Sequence, residues 1–263
     1  AFPKTPMYYA RLNDEGTAFE HERNVIDKAY GLDGGGTLAA DENGNVYVFW
    51  HAPIPGMQGE QNRRVWVAKS SDDGKTFEPE RMAFDKPIGA CGCCGMKAYA
   101  DASGLYVLFR SADQVVHRDI WLLTSTDAGK SFAGSMVSKW NIGACVMSAA
   151  SLTPGPKGMI AAWETEKQTY FGQIVKGSIP TPVAAEGTPS DRKFPVLAVN
   201  AKGETLFAWT EGMAWKKPGI AQWETIGPDG HPLTKAAASQ PGVPIWSFIA
   251  AFAKPDGDFV VVY

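Results

Sequence analysis

The sequence lacks several features that would each name a class of protein. It has no apolar run long enough to span a bilayer. Its formal net charge of −3 is too small to predict a nucleic-acid partner. Long stretches of helical periodicity are missing, and so are the Cys-x-x-Cys-His motif of covalent haem attachment and the paired Cys-x-x-Cys motifs of many zinc sites. We therefore expect an all-β globular protein.

The chain also begins without an initiator Met or a signal peptide, reading Ala-Phe-Pro-Lys-Thr-Pro. Such a start is typical of a mature exported protein, periplasmic or secreted, whose signal peptide has been removed. A boundary set within a longer sequence is the alternative. No pattern in the sequence predicts an oligomeric state.

What the sequence does contain is one eight-residue motif that occurs twice. Residues 70–77 read Ser-Ser-Asp-Asp-Gly-Lys-Thr-Phe, and residues 125–132 read Ser-Thr-Asp-Ala-Gly-Lys-Ser-Phe. Each copy follows a short apolar segment with a tryptophan at the same offset, which indicates an internal repeat. Ser and Asp side chains hydrogen-bond turn amides and Gly accepts a positive φ, so the motif predicts a tight turn between two strands.

The repeated motif resembles the Asp box of β-propellers of the sialidase superfamily. The resemblance covers eight residues in each copy and implies an all-β, sialidase-like β-propeller. In that superfamily the turn is structural and lies away from the active face. The motif therefore implies a fold and no particular reaction.

A second pattern gives the number of blades. It consists of an apolar strand, a turn around Gly, and a strand that ends in aromatic or aliphatic residues. Five segments show it and predict the inner hairpins of a five-bladed β-propeller: 37–50, 97–109, 148–163, 195–209 and 248–262. The whole chain, 1–263, is expected to form this single domain.

The fifth hairpin has no outer strands after it. Residues 7–11 have the pattern of a strand, and residues 12–19 resemble a worn Asp box that keeps Asp14, Gly16 and Phe19. The N-terminal strands are therefore predicted to complete the C-terminal blade and to close the ring, which protects the sheet edges. A longer propeller with a truncated sixth blade is the alternative.

One face of such a propeller carries the loops between the second and third strands and the loops between blades. We expect a small-molecule or glycan ligand on this concave face. The candidate ligand-binding residues in these loops are aromatic or cationic: Trp140, Trp246, His51, Arg118 and Arg192.

All four cysteines lie in two loops of the same predicted face. Ile-Gly-Ala-Cys at residues 88–91 returns at residues 142–145, so Cys91 and Cys145 are expected at equivalent positions of neighbouring blades. Three interpretations are open: disulfide staples, a soft-metal site that favours copper as Cu(I), and a reactive thiol. The candidate metal ligands are Cys91, Cys93, Cys94, Cys145, Met96, Met147 and His117.

The resemblance also raises glycoside hydrolysis. Sialidases hold the carboxylate of their substrate with three arginines, and Arg110 is placed to serve as one, although the Arg-Ile-Pro signature is missing. Five blades are also similar to the five-bladed glycosidases, which place three carboxylates around the funnel, including an acid and a base or nucleophile. The candidate catalytic residues are Asp33, Asp119, Glu164, Glu211 and Arg110.

Taken together, the sequence favours an exported binding protein with a ligand site on the funnel face. Its cysteine cluster is then a disulfide staple or a copper site. A glycoside hydrolase, sialidase-like or of the three-carboxylate type, is the alternative.

Overall fold

The structure, a computed structural model, describes residues 4–32, 34–175, 178–214, 216–233, 237–245 and 247–263. Its regular elements are β-strands and one short 3-10 helix, Glu60–Asn62. The chain divides into two compact units, one of Ala1–Ser135 with Asn141–Met147 and one of Met136–Trp140 with Ser148–Tyr263. Over the described ranges no helix has the length and apolar character needed to cross a membrane.

The first unit contains a two-stranded sheet, a four-stranded sheet and most of a second four-stranded sheet. The small sheet pairs β1 (Tyr8–Tyr9) with β2 (Arg23–Asn24). The next sheet holds, in chain order, β3 (Thr37–Ala40), β4 (Val46–Pro53), β5 (Arg63–Ser70) and β6 (Arg81–Met82). The third holds β7 (Lys97–Asp101), β8 (Gly104–Arg110), β9 (Ile120–Ser125) and β10 (Ala133–Ser138).

The second unit repeats the same plan. One sheet holds β11 (Ser151–Gly155), β12 (Gly158–Thr165), β13 (Gln168–Ile174) and β14 (Val183–Ala184). The next holds β15 (Arg192–Val199), β16 (Thr205–Glu211), β17 (Gly219–Ile226) and β18 (Ala238–Val243). The last pairs β19 (Ala250–Ala253) with β20 (Phe259–Val262).

All five predicted inner hairpins are confirmed as antiparallel pairs. The second strand of each four-stranded sheet is apolar and almost wholly buried, since it is a central strand covered on both faces. The tryptophans near the ends of three of these strands, Trp50, Trp163 and Trp209, are fully buried. They therefore belong to the core of each unit and offer no open face to a sugar.

The two copies of the repeated motif form the same hydrogen-bonded turn. The Gly74 amide donates to Ser70 Oγ at 2.9 Å, and Thr76 donates to both oxygens of Asp72. The second copy repeats these bonds around Ser125 and Asp127. Asp73 and Ala128, one residue after each aspartate, take positive φ values of 62° and 56°. The predicted turn is confirmed, while the link to the sialidase superfamily stays a prediction.

The N-terminal turn differs from its predicted form. Asn13, and not Asp14, closes it, because the Thr17 amide donates to Asn13 Oδ1 at 2.9 Å. Asp14 instead pairs with Arg11 and with Lys75 of the first repeated turn. The expectation that Asp14 organises this turn is therefore wrong, since two neighbouring cations hold its carboxylate outside the turn.

The N-terminal segment packs on the first four-stranded sheet within its own unit. Tyr9 meets Phe77 edge to face, with ring centroids 4.9 Å apart, and Arg11 donates to the Asp73 carboxylate. Glu80 accepts the amides of residues 27–29 and fixes the chain that leads into β3. The pairing of β1–β2 with β19–β20 in one closed blade stays a prediction.

Replacing the turn serines tests the structural role of the repeat. Ser70 and Ser125 are both buried, and each accepts a turn amide and donates to the turn aspartate. Ser70→Ala and Ser125→Ala should each lower the free energy of unfolding by about 1–3 kcal/mol, because a buried amide loses its acceptor. Urea titration measures this. Ser71→Ala, at an exposed position in the same turn, should have no measurable effect; equal losses in all three variants would contradict the assignment.

The turn aspartates predict a pH dependence of stability. Hydrogen bonds from Thr76 and Ser70 hold the pKa of Asp72 below its ordinary value, and Ser131 and Ser125 do the same for Asp127. Because the folded-state pKa is the lower one, the stabilisation is complete above the unfolded pKa, about 3.9, and is lost as the pH falls below it. Urea titrations across acidic pH should show this loss, and the double variant Asp72→Asn, Asp127→Asn should show a flatter profile. An unchanged slope in the variant would rule out these groups.

Candidate functional site

Each four-stranded sheet carries a buried polar residue at the same place. It directly follows the aromatic residue near the end of the second strand, and the four are His51, Arg110, Glu164 and Thr210. The pairing of the second and third strands confirms that the four positions are equivalent. In each sheet the polar residue lies one position after the aromatic residue of the second strand that pairs with the third strand. Side chains alternate between the faces of a strand, so a core aromatic at one position places the next residue on the opposite face.

In the first unit, the polar residues gather around the carboxylate of Glu60. It accepts from Arg118 Nη2 at 2.8 Å, from Arg63 Nη1 at 3.1 Å and from the Gly92 amide at 3.1 Å. Burial acts to raise the pKa of Glu60, but the Gly92 amide and the two guanidinium groups outweigh it and lower that pKa. Glu60 is thus a carboxylate that ties two buried arginines to the cysteine loop.

Arg110 and His51 lie against the same loop. Arg110 donates from Nη1 to the Arg118 carbonyl at 2.7 Å, and its own carbonyl accepts the Cys91 amide at 2.9 Å. A Cβ on Gly34 would sit 1.9 Å from the Gly92 carbonyl oxygen and 3.1 Å from His51 Nε2, so only glycine fits there. The buried His51 is therefore a neighbour of the cysteine loop.

The four cysteines form one cluster in this unit. Cys93 and Cys145 are joined by a disulfide, while Cys91 and Cys94 are buried outside it. Cys91 Sγ lies 3.1 Å from Cys94 Sγ and 3.4 Å from Cys93 Sγ. The hydrogen bond with Cys94, together with burial, raises the pKa of the Cys91 thiol. The predicted staple thus exists between Cys93 and Cys145, with two thiols beside it.

The other predicted metal ligands lie in different surroundings. Met96 is buried in a hydrophobic cluster with Ala90, Phe109 and other apolar residues. His117 Nδ1 is 2.7 Å from Asn141 Oδ1, and Met147 is half-buried with a positive φ of 46°. Within the described chain, the three sulfurs of Cys91, Cys93 and Cys94 are the grouping with metal-ligand spacing.

In the second unit, Glu164 is the most enclosed candidate residue. Its side chain is 0% exposed, and Glu164 Oε1 lies 3.8 Å from the ammonium nitrogen of Lys193. Lys193 sits on β15 at the start of an irregular register, where Phe194 takes a positive φ of 52°. The irregularity turns this strand locally, and Lys193 faces a carboxylate on the neighbouring sheet.

Arg192 and Glu211 form a separate structural pair in the same unit. Arg192 Nε donates to Glu211 Oε2 at 3.2 Å, and its other nitrogens donate to Gln168 Oε1 and to the carbonyls of Ala185 and Glu186. The guanidinium also stacks 5.0 Å from the ring centroid of Trp209. These contacts favour a structural role for Arg192 over the predicted role in ligand binding, which stays a prediction.

The remaining candidates divide into three groups. Asp119 is half-buried, and its backbone is fixed by Ser111 through two hydrogen bonds. Trp140 is buried, which favours packing over the predicted stacking on a ligand. Asp33 and Trp246 lie outside the described residues.

Two clefts of the first unit are lined by described residues. One of about 330 Å³ runs between residues 28–31 and 53–58 of the first unit and is edged by Lys4, Lys28 and Tyr30. Another of about 200 Å³ lies beside the turn at residues 125–128, at the opposite ends of the strands. Neither cleft is lined by a predicted catalytic residue.

Comparison with known proteins gives the fold. No protein-family model and no curated protein matches the chain. Among solved structures, the α-L-arabinanase of Penicillium chrysogenum in complex with arabinobiose is 14% identical, with a TM-score of 0.61 over 86% of this chain and 74% of that chain. The α-L-arabinofuranosidase Arb93A of Fusarium graminearum is 13% identical, with a TM-score of 0.58 over 86% and 73%.

A third structure extends the likeness over more of both chains. The endo-arabinase of Bacteroides thetaiotaomicron is 12% identical, with a TM-score of 0.50 over 90% of each chain. The fold is a β-propeller. At such identities the likeness concerns the backbone alone, and five blades and the closure of the ring remain predictions.

Residues of these clusters that were not singled out from the sequence include Glu60, Lys193 and Thr210. Thr210 was detectable, since it follows an aromatic residue in a buried strand, as do His51, Arg110 and Glu164. Glu60 belongs to a three-residue helix in a polar loop, and Lys193 depends on a strand irregularity. Neither has a local sequence signal.

Removing the charge of Glu60 tests the cluster of the first unit. Arg118 is 3% exposed, and Glu60 supplies its charged hydrogen-bond acceptor. Glu60→Gln should lower the free energy of unfolding by about 1.5–3 kcal/mol, the usual value for a hydrogen bond to a charged group. Chemical denaturation provides the measurement, and Glu42→Gln, at an exposed position, is the matched control. A loss no larger than in the control would show that the pair is dispensable.

Proposed function

We propose that the chain is a glycoside hydrolase that acts on arabinose-containing glycans, with Glu164 as a catalytic carboxylate. The observation that carries the proposal is the buried Glu164 carboxylate facing Lys193 at the end of a central strand. The proposed substrate class is supported by similar structures named as an α-L-arabinanase, an α-L-arabinofuranosidase and an endo-arabinase. Of the two functions considered from the sequence, we thus prefer the glycoside hydrolase to a binding protein without activity.

The surroundings of Glu164 suit a base or a nucleophile. Complete burial favours the protonated form of a carboxyl group, whereas an ammonium group within about 4 Å favours the ionised form, so a base or nucleophile at this position needs the pairing with Lys193. Lys193 therefore supports Glu164 as the carboxylate that activates water or attacks the sugar, as one member of the carboxyl pair in glycoside hydrolysis does.

Glu211 has a different part in the proposal. Its carboxylate accepts a hydrogen bond from Arg192 Nε, and Arg192 also donates to Gln168 on β13 and to the carbonyls of Ala185 and Glu186, which follow β14. A carboxylate held in this way is retained in its charged form and is fixed in position. We therefore assign Glu211 to positioning Arg192 and not to proton transfer.

The disulfide supports a place of action outside the cytoplasm. Disulfides form and persist in oxidising compartments such as the periplasm or the extracellular space. The Cys93–Cys145 bond is consistent with that environment.

Activity assays on defined glycans test the function. The purified chain should release arabinose or arabino-oligosaccharides from arabinan, and Glu164→Gln should lower kcat/KM by about 100-fold or more, as expected for loss of a positioned base or nucleophile. Product analysis by chromatography gives the measurement. Glu166→Gln, two residues along on an exposed turn, is the matched control and should keep full activity.

The other outcomes separate the alternatives. Saturable binding of arabino-oligosaccharides without hydrolysis would replace the hydrolase by a binding protein. Loss of folding in Glu164→Gln, seen by circular dichroism, would make Glu164 structural; in that case Lys193→Met, which leaves the carboxylate in place, must still lower kcat. Release of sialic acid and not arabinose from a mixed panel would overturn the substrate class.

A further inference from the structure

We propose that the four cysteine sulfurs form a Cu(I) site that the Cys93–Cys145 disulfide closes and that reduction of this bond opens. The site lies within the first unit and is independent of the proposed hydrolase function. The sulfurs that would coordinate the metal are those of Cys91, Cys93, Cys94 and Cys145. The ion bound is a thiophilic monovalent cation.

The geometry of the sulfurs carries the proposal. Cys91 Sγ lies 3.1 Å from Cys94 Sγ and 3.4 Å from Cys93 Sγ, and Cys145 Sγ is bonded to Cys93 Sγ. The first three sulfurs lie within 4.8 Å of one another. Sulfurs that surround one metal ion at bond lengths near 2.3 Å are roughly 4 Å apart, so small side-chain movements convert the cluster into a coordination shell.

Burial and charge around the cluster fit an anionic thiolate site. Cys91 and Cys94 are 2% and 4% exposed, which keeps water from two of the four ligands, while Cys93 and Cys145 lie at the surface. Arg118 is 3% exposed, and its Nε and Nη1 have no hydrogen-bond partner in the part of the chain that the structure describes. The buried guanidinium of Arg118 would offset the negative charge that copper-bound thiolates carry. When the thiols are neutral, Glu60 is the anion that compensates the charge of Arg118.

The ligand set narrows the choice of metal. All of its donors are sulfur, and soft thiolate ligands suit Cu(I) as well as zinc. His117 is engaged with Asn141, and Met96 is packed in the hydrophobic core, so neither adds a second donor type. Zn(II) also accepts four thiolates and is the competitor that the test must separate.

The chemistry balances with a dithiol reductant. The reductant gives two electrons and two protons to the Cys93–Cys145 bond, which becomes two thiols, and the reductant becomes a disulfide. Cu(I) then displaces protons from the thiols that bind it, and these protons pass to solvent. A disulfide oxidant reverses the sequence: it takes two electrons from the Cys93 and Cys145 thiolates and two protons from solvent and becomes a dithiol, and the Cys93–Cys145 bond that forms removes two ligands from the metal.

A titration under reducing conditions tests the site. The full chain is reduced with dithiothreitol under nitrogen, the reductant is removed, and Cu(I) is supplied as its bicinchoninate complex, whose absorbance reports the transfer. We expect one Cu(I) per chain and an X-ray absorption spectrum with a shell of sulfur alone. Cys91→Ser and Cys94→Ser should each weaken binding by at least about 10-fold, the lower end of the cost of losing even an outer-shell partner.

Two controls separate a metal site from a staple. Met96→Leu should bind Cu(I) like the unmodified chain, because Met96 packs in the core. The air-oxidised chain should bind Cu(I) at least about 10-fold more weakly, because its disulfide removes two ligands. Circular dichroism confirms that each variant is folded.

Several results would overturn the proposal. One is a folded Cys91→Ser, Cys94→Ser double variant that binds Cu(I) as tightly as the unmodified chain. The others are displacement of Cu(I) by a modest excess of Zn(II) and an equal affinity for Cu(I) before and after reduction. Mass spectrometry that finds a second disulfide between Cys91 and Cys94, resistant to dithiothreitol, would make the cluster a double staple. Because none of these measurements uses a glycan, the proposed hydrolase can fail without affecting them.

Discussion

The alternation of side chains along the central strands is the constraint on which the candidate sites depend. In each four-stranded sheet an aromatic side chain commits one face of the second strand to the core, and the next side chain must take the opposite face. That next residue is polar in all four sheets, and buried polar groups are tolerated only with partners. Glu164 has Lys193, and Arg110 has the carbonyl of Arg118. The strand geometry therefore creates four buried polar positions; a loop supplies the partner of Arg110, and the neighbouring sheet supplies the partner of Glu164.

Most of the strand framework was predictable because it depends on local patterns. The repeated turns are fixed by Ser, Asp and Gly side chains and backbones within eight residues, and both formed the same bonds. The N-terminal turn was less predictable, since Arg11 and Lys75 take Asp14 away from it and Asn13 substitutes. Lys75 is distant in sequence, and no local pattern announces such a contact.

The candidate sites were predictable only as an inventory of residues. The repeat of Ile-Gly-Ala-Cys placed Cys91 and Cys145 at equivalent positions, yet Cys145 bonds to Cys93. Two positions after the repeated Cys, the first loop has Cys93 where the second has Met147, and it is this additional cysteine that bonds to Cys145. Arg192 was expected on a ligand-binding face, but the carbonyls and carboxylate of its own unit occupy it. Pairings of this kind depend on the relative placement of loops, which composition and spacing do not determine.

The buried charges of the two units point to different chemistry. Among the described residues of the first unit, the buried cations include Arg63 and Arg64, which directly follow the Glu60 helix, Arg118, which donates to Glu60, and Arg110, whose carbonyl accepts the Cys91 amide. In the second unit the buried charged groups include Glu164 and Glu224, with Arg192 engaged in structural contacts. An excess of buried cations is unfavourable unless an anion complements it. Metal-bound thiolates would supply that anion in the first unit, whereas Lys193 already balances the carboxylate in the second. The metal site is therefore proposed where buried arginines lie and the catalytic site where a buried carboxylate lies, and each proposal can be tested without the other.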